Sequence, residues 1–436
     1  MLSAVECMAQ SVTNSPYSRY GVGDISYMGT GHNIGMGGTS AGESTPFHVN
    51  TVNPACNTSL QMQRFLFDVG FDVKYTTTSS AVASQKNCNS TFKYLAGAFS
   101  AKPWWYFAFC FKPYSSVGYS FTDSTKIQYD GQDYGFREHF DGQGGLNKMS
   151  ISTAFKVFKM VSFGATGSVI FGDLERNHTI SSLRSEGNMN NGKASYTSTI
   201  AYKNNYIIHG MQADLGVRIE KSFRSKKDTL RDAFAFSLGA YLGNQANLKS
   251  RNELFVYRHS NTAFSQSAFS SIQNSDTLAN DTLSQERVVL PKSFGVGLSL
   301  EFMERITVNA DYHYQDWSGF TLPGESASSQ MGTSKYMAIG MQYVTAKYSS
   351  SKWYRTINYR IGAHKQDTYI KVGGYTVQDK GLTMGVGFPI RGLILNVGCD
   401  FGKRGTTEHN LYMEKYCLMH FNVTVHDIWF QKRKFQ

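Results

Sequence analysis

Apolar residues recur at every second position through most of this chain. Between residues 65 and 75, Phe65, Phe67, Val69, Phe71, Val73 and Tyr75 share one face, while Asp68, Gly70, Asp72 and Lys74 share the other. Successive side chains of a strand point to opposite faces, so this ribbon has one greasy and one wet surface. Phe294, Val296, Leu298, Leu300 and Phe302 alternate in the same way with Gly295, Gly297, Ser299 and Glu301. After a turn at Met303-Glu304-Arg305, Ile306, Val308, Ala310, Tyr312 and Tyr314 face away from Thr307, Asn309, Asp311 and His313. Leu393, Leu395, Val397, Cys399 and Phe401 oppose Asn396, Gly398 and Asp400; Cys417, Met419, Phe421, Val423 and Val425 oppose Leu418, His420, Asn422 and Thr424.

The pattern predicts strands near 65–79, 90–101, 104–121, 146–158, 160–178, 194–221, 231–258, 286–303, 305–318, 334–347, 354–364, 380–389, 392–402 and 409–426. A soluble β-sandwich would also alternate, so connection lengths decide. Odd-to-even connections such as 122–145, 259–285 and 319–333 read as long, and most even-to-odd ones, around Lys102-Pro103, Lys159, Glu304 and Pro389-Ile390-Arg391, as tight. Two, near 222–230 and 348–353, are of middling length. Long external loops alternating with short periplasmic turns predict an all-β fold: a transmembrane antiparallel barrel of about fourteen strands, with both termini periplasmic. Trp104, Trp105 and Tyr106, Trp317 and Phe320, and Trp353 and Tyr354 stand near predicted strand ends, as interfacial aromatics do.

Composition agrees. The chain has 436 residues with 41 Gly and only 8 Pro, and its mean hydropathy is −0.34. Its longest apolar run, Trp104 to Phe111, falls far short of the roughly 18 residues of a membrane helix. A barrel tolerates this low average because only alternate residues meet lipid. Inward polar positions, among them Asp68, Asp72, Glu301, Asp311, His313 and Asp400, should line the lumen and pair with inward basic residues.

Residues 1–10, MLSAVECMAQ, read as the remnant of a signal peptide, with a cleavage-type Ala9-Gln10. Residues 11–63 do not alternate and are Gly-rich, which suits a compact plug, or hatch, inside a barrel wide enough to need filling. The barrel should then occupy 64–427, leaving 428–436 as a basic periplasmic tail. Of the cysteines, Cys56, Cys88, Cys110, Cys399 and Cys417 show no paired spacing. Three occupy outward-type strand positions as small apolar residues. A Cys56–Cys88 bridge is open, with nothing to favour it.

Gly35-Met36-Gly37-Gly38-Thr39 leading to Asn53-Pro54-Ala55 resembles the hatch of the long-chain fatty acid transporter (FadL) family of outer-membrane proteins. Similar runs are Lys112-Pro113-Tyr114-Ser115-Ser116-Val117-Gly118-Tyr119, Asp316-Trp317-Ser318-Gly319-Phe320, Tyr359-Arg360-Ile361-Gly362-Ala363 and Phe401-Gly402-Lys403-Arg404-Gly405-Thr406, with Trp429-Phe430 and Lys432-Arg433-Lys434 at the end. The resemblance implies passive uptake of hydrophobic, fatty acid-like molecules through a hatch-gated lumen and a lateral opening at strand three. It marks Asn53, Pro54, Ala55, Pro113, Tyr114, Ser115, Ser116, Val117 and Gly118 as ligand-binding or gating residues. Pro113 points the same way independently, since a proline inside a strand cannot donate to the ladder and marks a bulge. A wall break near 113–118 is expected; an ordinary strand end at the external rim is the bland alternative.

No catalytic residue, metal site or cofactor is expected. Gly38-Thr39-Ser40-Ala41-Gly42 fits G-x-S-x-G, but it lacks the strand–turn–helix setting of a nucleophile elbow. The formal net charge of +11 is scattered rather than arrayed, so nucleic acid is not an expected partner; Arg224-Ser225-Lys226-Lys227 reads as a solvated periplasmic turn. Outer-membrane lipids and anionic lipopolysaccharide account for the excess more simply. A second class of function stays open: a barrel subunit of an outer-membrane protein secretion or assembly machine, transporting nothing. An apolar pocket behind the hatch favours transport, and a lumen filled by side chains favours the subunit.

Overall fold

A computed structural model describes residues 13–26, 29–62, 64–81, 83–129, 132–183, 196–224, 232–260, 276–322, 331–345, 356–390 and 392–428. The predicted signal remnant, the turn residues Ser225, Lys226 and Lys227, the pair Trp353-Tyr354 and the basic tail lie outside them.

Fourteen strands form one closed antiparallel ring. They are β1 Arg64–Ser79, β2 Ser84–Lys102, β3 Trp105–Tyr129, β4 Gln132–Lys156, β5 Val161–Leu183 and β6 Tyr196–Arg224. β7 comprises Asp232–Gly243 and Ala246–Ser260, and β8 comprises Asp276–Leu290 and Ser293–Phe302. β9 is Ile306–Asp316, β10 Thr333–Val344, β11 Asn358–Val372, β12 Tyr375–Ile390, β13 Leu393–Gly405 and β14 Met413–Ile428. The interruption in β8 falls at Pro291, which has no N–H to give. The break in β7 is bridged by Asn244, whose backbone N–H donates to the Ala213 carbonyl at 3.0 Å while its Oδ1 accepts from the Ala213 N–H at 3.0 Å. The ring closes where β14 pairs with β1, from Met413↔Ser79 to Ile428↔Arg64.

Period two dictates which side chains meet lipid. Phe71, Phe163, Leu215, Leu298, Ile339 and Phe421 are exposed outward, whereas Asp68, Asp72, Asp311, His313 and Asp400 are buried inside. Trp104 is exposed beside the periplasmic turn, with Lys102 over its ring at 5.4 Å, as an interfacial anchor would be.

Several sequence expectations need correction. Residues 122–145 are not a loop: β3 and β4 stay paired out to Tyr129 and Gln132. At 25 residues each, these strands far exceed the roughly 9–11 needed to cross a bilayer, so the hairpin projects beyond it. β11 likewise continues to Val372 and turns at Gly373-Gly374, both with positive φ. Trp317 and Phe320 are not girdle residues. Both are buried in an apolar cluster with Leu146, Leu174, Leu248 and Tyr369, and Trp317 stacks on Tyr369 at 4.6 Å. Tyr106 also faces inward, its hydroxyl donating to the Pro103 carbonyl at 2.8 Å. Cys56 and Cys88 are free thiols.

The described residues between 13 and 60 hydrogen-bond to strands on several sides of the ring. Short helix α1, Gly31–Ile34, starts where the Gly31 N–H donates to Tyr94 Oη on β2 at 2.9 Å. Gly37 N–H donates to Thr383 Oγ1 on β12 at 2.8 Å, and the Ser40 and Ala41 N–H groups converge on Asp311 Oδ2 on β9 at 2.6 and 2.7 Å. Facing glycines make this approach feasible. A Cβ at Gly239 would stand 2.0 Å from the Ala41 carbonyl oxygen, one at Gly340 2.4 Å from that of Met36, and one at Gly362 2.4 Å from Gly37 N. The inner wall is thus cut to the backbone of the segment.

Gly340→Val should therefore unseat the segment while leaving the wall intact, costing about 1–3 kcal/mol as overpacking does. Limited proteolysis of the folded barrel should then cut within residues 30–45. Gly167→Ala, where nothing lies within 4 Å, is the control expected to behave as wild type. Equal protease resistance in both variants would refute the glycine fit.

Candidate functional site

The sequence-marked residues separate into two places. Asn53-Pro54-Ala55 opens a 3-10 turn, Pro54–Ser59, on the inner faces of β5 and β6. Asn53 is fully buried: its Nδ2 donates to the Ala41 carbonyl at 2.9 Å and to the Val217 carbonyl of β6 at 3.2 Å, and its Oδ1 accepts from the Ala55 N–H at 3.1 Å. Gly164 and Gly216 leave room for Pro54 and Ala55. Arg218 reaches over the same turn, donating to Ser59 Oγ at 2.9 Å. The bonds to Val217 and from Arg218 hold the segment to the wall, and those to Ala41 and Ala55 fold it on itself.

Residues 113–118 stand at a seam. β2 pairs with β3 only from Lys102↔Trp105 to Leu95↔Phe111. Past that point β2 follows β1, and β3 follows β4, with a register shift between Pro113 and Ser115 that leaves Tyr114 out of the ladder. The strand does not end there, as β3 continues to Tyr129. The N-terminal segment occupies the free edge of β3 instead. Asp24 and Ile25 pair with Ser116 and Ser115, Ser26 N–H donates to the Tyr114 carbonyl at 3.2 Å, and Ser15 N–H to the Gly118 carbonyl at 2.9 Å. Gly118 is obligatory here, because a Cβ would stand 1.8 Å from the Thr13 carbonyl oxygen. Val117 is buried in the apolar cluster of the outer lumen. On the opposite lip, the side-chain amides of Asn14 and Asn89 on β2 meet at 3.1 Å.

Behind the seam lies a cavity of about 200 Å³, reached by Phe92, Lys93, Pro113 and Ser116 and floored by Asp72 and Arg404. Its walls mix apolar side chains such as Ile25, Phe92 and Leu418 with charged groups, most of them paired. Lys93 meets Asp72 at 3.3 Å, and Asp72 also bonds to His420. Arg404 Nη1 donates to Asp24 Oδ1 at 2.7 Å and lies 3.9 Å from Glu414 Oε2, while Ser15 Oγ donates to Glu414 Oε1 at 2.6 Å. The Arg404 guanidinium also covers the Tyr17 ring at 5.2 Å. Burial pushes the Tyr17 phenol up to about 12, so it stays a neutral donor.

Sequence reasoning missed the residues that fasten these places, Arg404 and Arg218, because one inward arginine looks like another in a strand. It also missed a buried group inside the segment, His32, Glu43 and His48, whose members share no motif. Ser40, of the G-x-S-x-G run, has a buried Oγ without a hydrogen-bonding partner among the described residues, so no base activates it.

Arg404→Met should leave Asp24 and Glu414 without the guanidinium they share. Breaking a buried pair in this way costs about 3–5 kcal/mol. The expected result is early release of residues 13–26 on urea titration, read by proteolysis, before the strands unfold. Release at the wild-type urea concentration would refute the clamp.

The fold is shared with solved outer-membrane transporters. The toluene transporter TbuX of Ralstonia pickettii aligns with 16% identity and a TM-score of 0.53, covering 92% of this chain and 98% of that one. The toluene transporter TodX of Pseudomonas putida aligns with 14% identity and a TM-score of 0.54, covering 94% and 100%. A FadL homologue of Pseudomonas aeruginosa gives 10% identity and a TM-score of 0.56, over 94% and 100%. At such identities the likeness establishes a FadL-type fold, and with its lipid-facing belt the chain is a barrel of the outer membrane. No curated protein matches. The BamG family model, however, matches all of residues 1–436, and the chain belongs to the BamG family.

Proposed function

We propose that this barrel works as a closed, non-transporting subunit of an outer-membrane protein secretion or assembly machine. One observation supports the reading: among the described residues, those at 13–26 and 29–60 bond to strands around the ring and sit on glycines that admit no side chain, leaving little of the lumen open. Above them the outer lumen is closed by buried apolar side chains, Trp317, Leu146 and Leu248 among them. The 200 Å³ cavity is smaller than the roughly 300–1,000 Å³ of ordinary ligand pockets. What remains for interaction is the outside: the lipid belt, in contact with membrane lipid and lipopolysaccharide, and the β3–β4 hairpin projecting beyond it.

A second reading, passive uptake of a hydrophobic small molecule, is favoured by the seam. The β2–β3 ladder stops at Leu95↔Phe111, next to Pro113 and Ser116, and the cavity reaches that point. Under this reading Asn53, Pro54 and Ala55 anchor the gate, and Tyr114, Ser115, Val117 and Gly118 frame the exit. Passage would require breaking the Asp24–Arg404 pair and displacing the Asp24–Ile25 ribbon from β3.

Two measurements on protein extracted from its native membrane separate the readings. Native mass spectrometry should find the barrel in an assembly with other outer-membrane proteins and free of retained hydrophobic molecules. Depletion of the protein should lower the amount of other barrels in the outer membrane. A lone barrel carrying a specific hydrophobic molecule, with uptake of that molecule lost on depletion, would overturn the subunit reading.

A further inference from the structure

The N-terminal segment contains a cluster that neither reading uses. His32, in the last turn of α1, Glu43 and His48 bring their ligand-type atoms within 4.8 Å of one another, and all three are buried. His32 Nε2 lies 2.9 Å from Glu43 Oε1, and the two imidazoles stack at 4.1 Å between centroids. We propose that His32, Glu43 and His48 form a binding site for a single divalent transition-metal ion, Zn(II) being the best match to the donors.

The geometry alone could serve a simple histidine–carboxylate hydrogen bond. Two further observations favour a metal. First, His48 is held through Nδ1 by Thr45 Oγ1 at 3.3 Å, which leaves Nε2 buried with no partner among the described residues. An orphaned buried nitrogen is costly, whereas a metal–nitrogen bond would satisfy it. Second, the surroundings fix the donors as outer-sphere groups of metal sites do. Asn33 Nδ2 donates to Glu43 Oε2 at 2.6 Å, and Asn50 Nδ2 donates to the Glu43 carbonyl at 3.0 Å and the Ser40 carbonyl at 2.6 Å. These bonds pin the loop from 39 to 50 against α1 before any ion arrives.

The charge of Arg360 reaches the cluster, but its guanidinium is engaged by Gln342 Oε1 at 2.8 Å and Asn396 Oδ1 at 2.7 Å. Two imidazole nitrogens and one carboxylate oxygen suit a borderline ion such as Zn(II) and not Ca(II) or Mg(II), which take oxygen alone. The ion would clip α1 to the loop that follows it, closing the segment on itself.

The test uses full-length barrel carrying a tag without histidine, refolded with Zn(II), then desalted and analysed by elemental mass spectrometry. The expected result is one zinc per chain in wild type and in His409→Gln, an exposed control, and less than a tenth of that in His48→Gln and Glu43→Gln. If either cluster variant fails to refold, Co(II)-loaded wild type decides: intense visible absorption marks a four-coordinate site, and its loss on adding Zn(II) in equal amount marks the same site. Wild type that takes up neither ion, or cluster variants that retain full zinc, would overturn the proposal.

Discussion

A ring of fourteen strands encloses more space than its own side chains can fill. Eight strands are about the limit at which inward residues meet across the middle. Everything distinctive here answers that constraint. The segment at 13–60 supplies the missing matter, and it is backbone-rich, so each of its N–H and C=O groups needs a partner. The wall provides those partners in two forms. Side chains such as Asp311, Thr383 and Tyr94 accept backbone N–H groups, and glycines such as Gly239, Gly340 and Gly362 let backbone meet backbone.

The same constraint explains the seam. β3 carries a proline and a register shift where it leaves β2, so its edge there needs another partner. That partner is the N-terminal segment, with Asp24–Ile25 taking the place of a neighbouring strand and Arg404 holding it down. An edge left bare would be an invitation to pair with a foreign chain. In this FadL-type scaffold the wall discontinuity is thus covered by the chain's own N-terminal segment.

Much of this was legible in the sequence. Strict alternation around Phe65–Tyr75 and Phe294–Phe302 identified strands and their lipid faces, because a strand exposes every second residue whatever surrounds it. Pro113 announced an irregularity where one exists. The hairpin beyond residue 121 was not legible, since outside the bilayer a strand no longer needs an apolar outer face, and residues such as Asp123, Ser124 and Lys126 read as loop. Trp317 misled for the opposite reason: a tryptophan near a strand end looks like an interfacial anchor unless one knows that the chain folds it inward over the lumen. Contacts between the segment and the wall join residues hundreds apart, and His32, Glu43 and His48 meet only because a turn brings them round; neither leaves a local pattern.

The bond from Ser15 to Glu414 spans 399 positions of the chain. Gly31 similarly abuts His420 and Asn422 on the last strand. The N-terminal segment, synthesised before β14, therefore waits for that strand before it acquires its native surroundings. Contacts of such long sequence separation form late, because the entropy of closing the intervening loop must be overcome first. Docking of β14 against β1 then does two things in one event: it completes the wall and it supplies the final partners of the N-terminal segment. Closure of the ring and docking of the segment are thus coupled through the one strand that takes part in both.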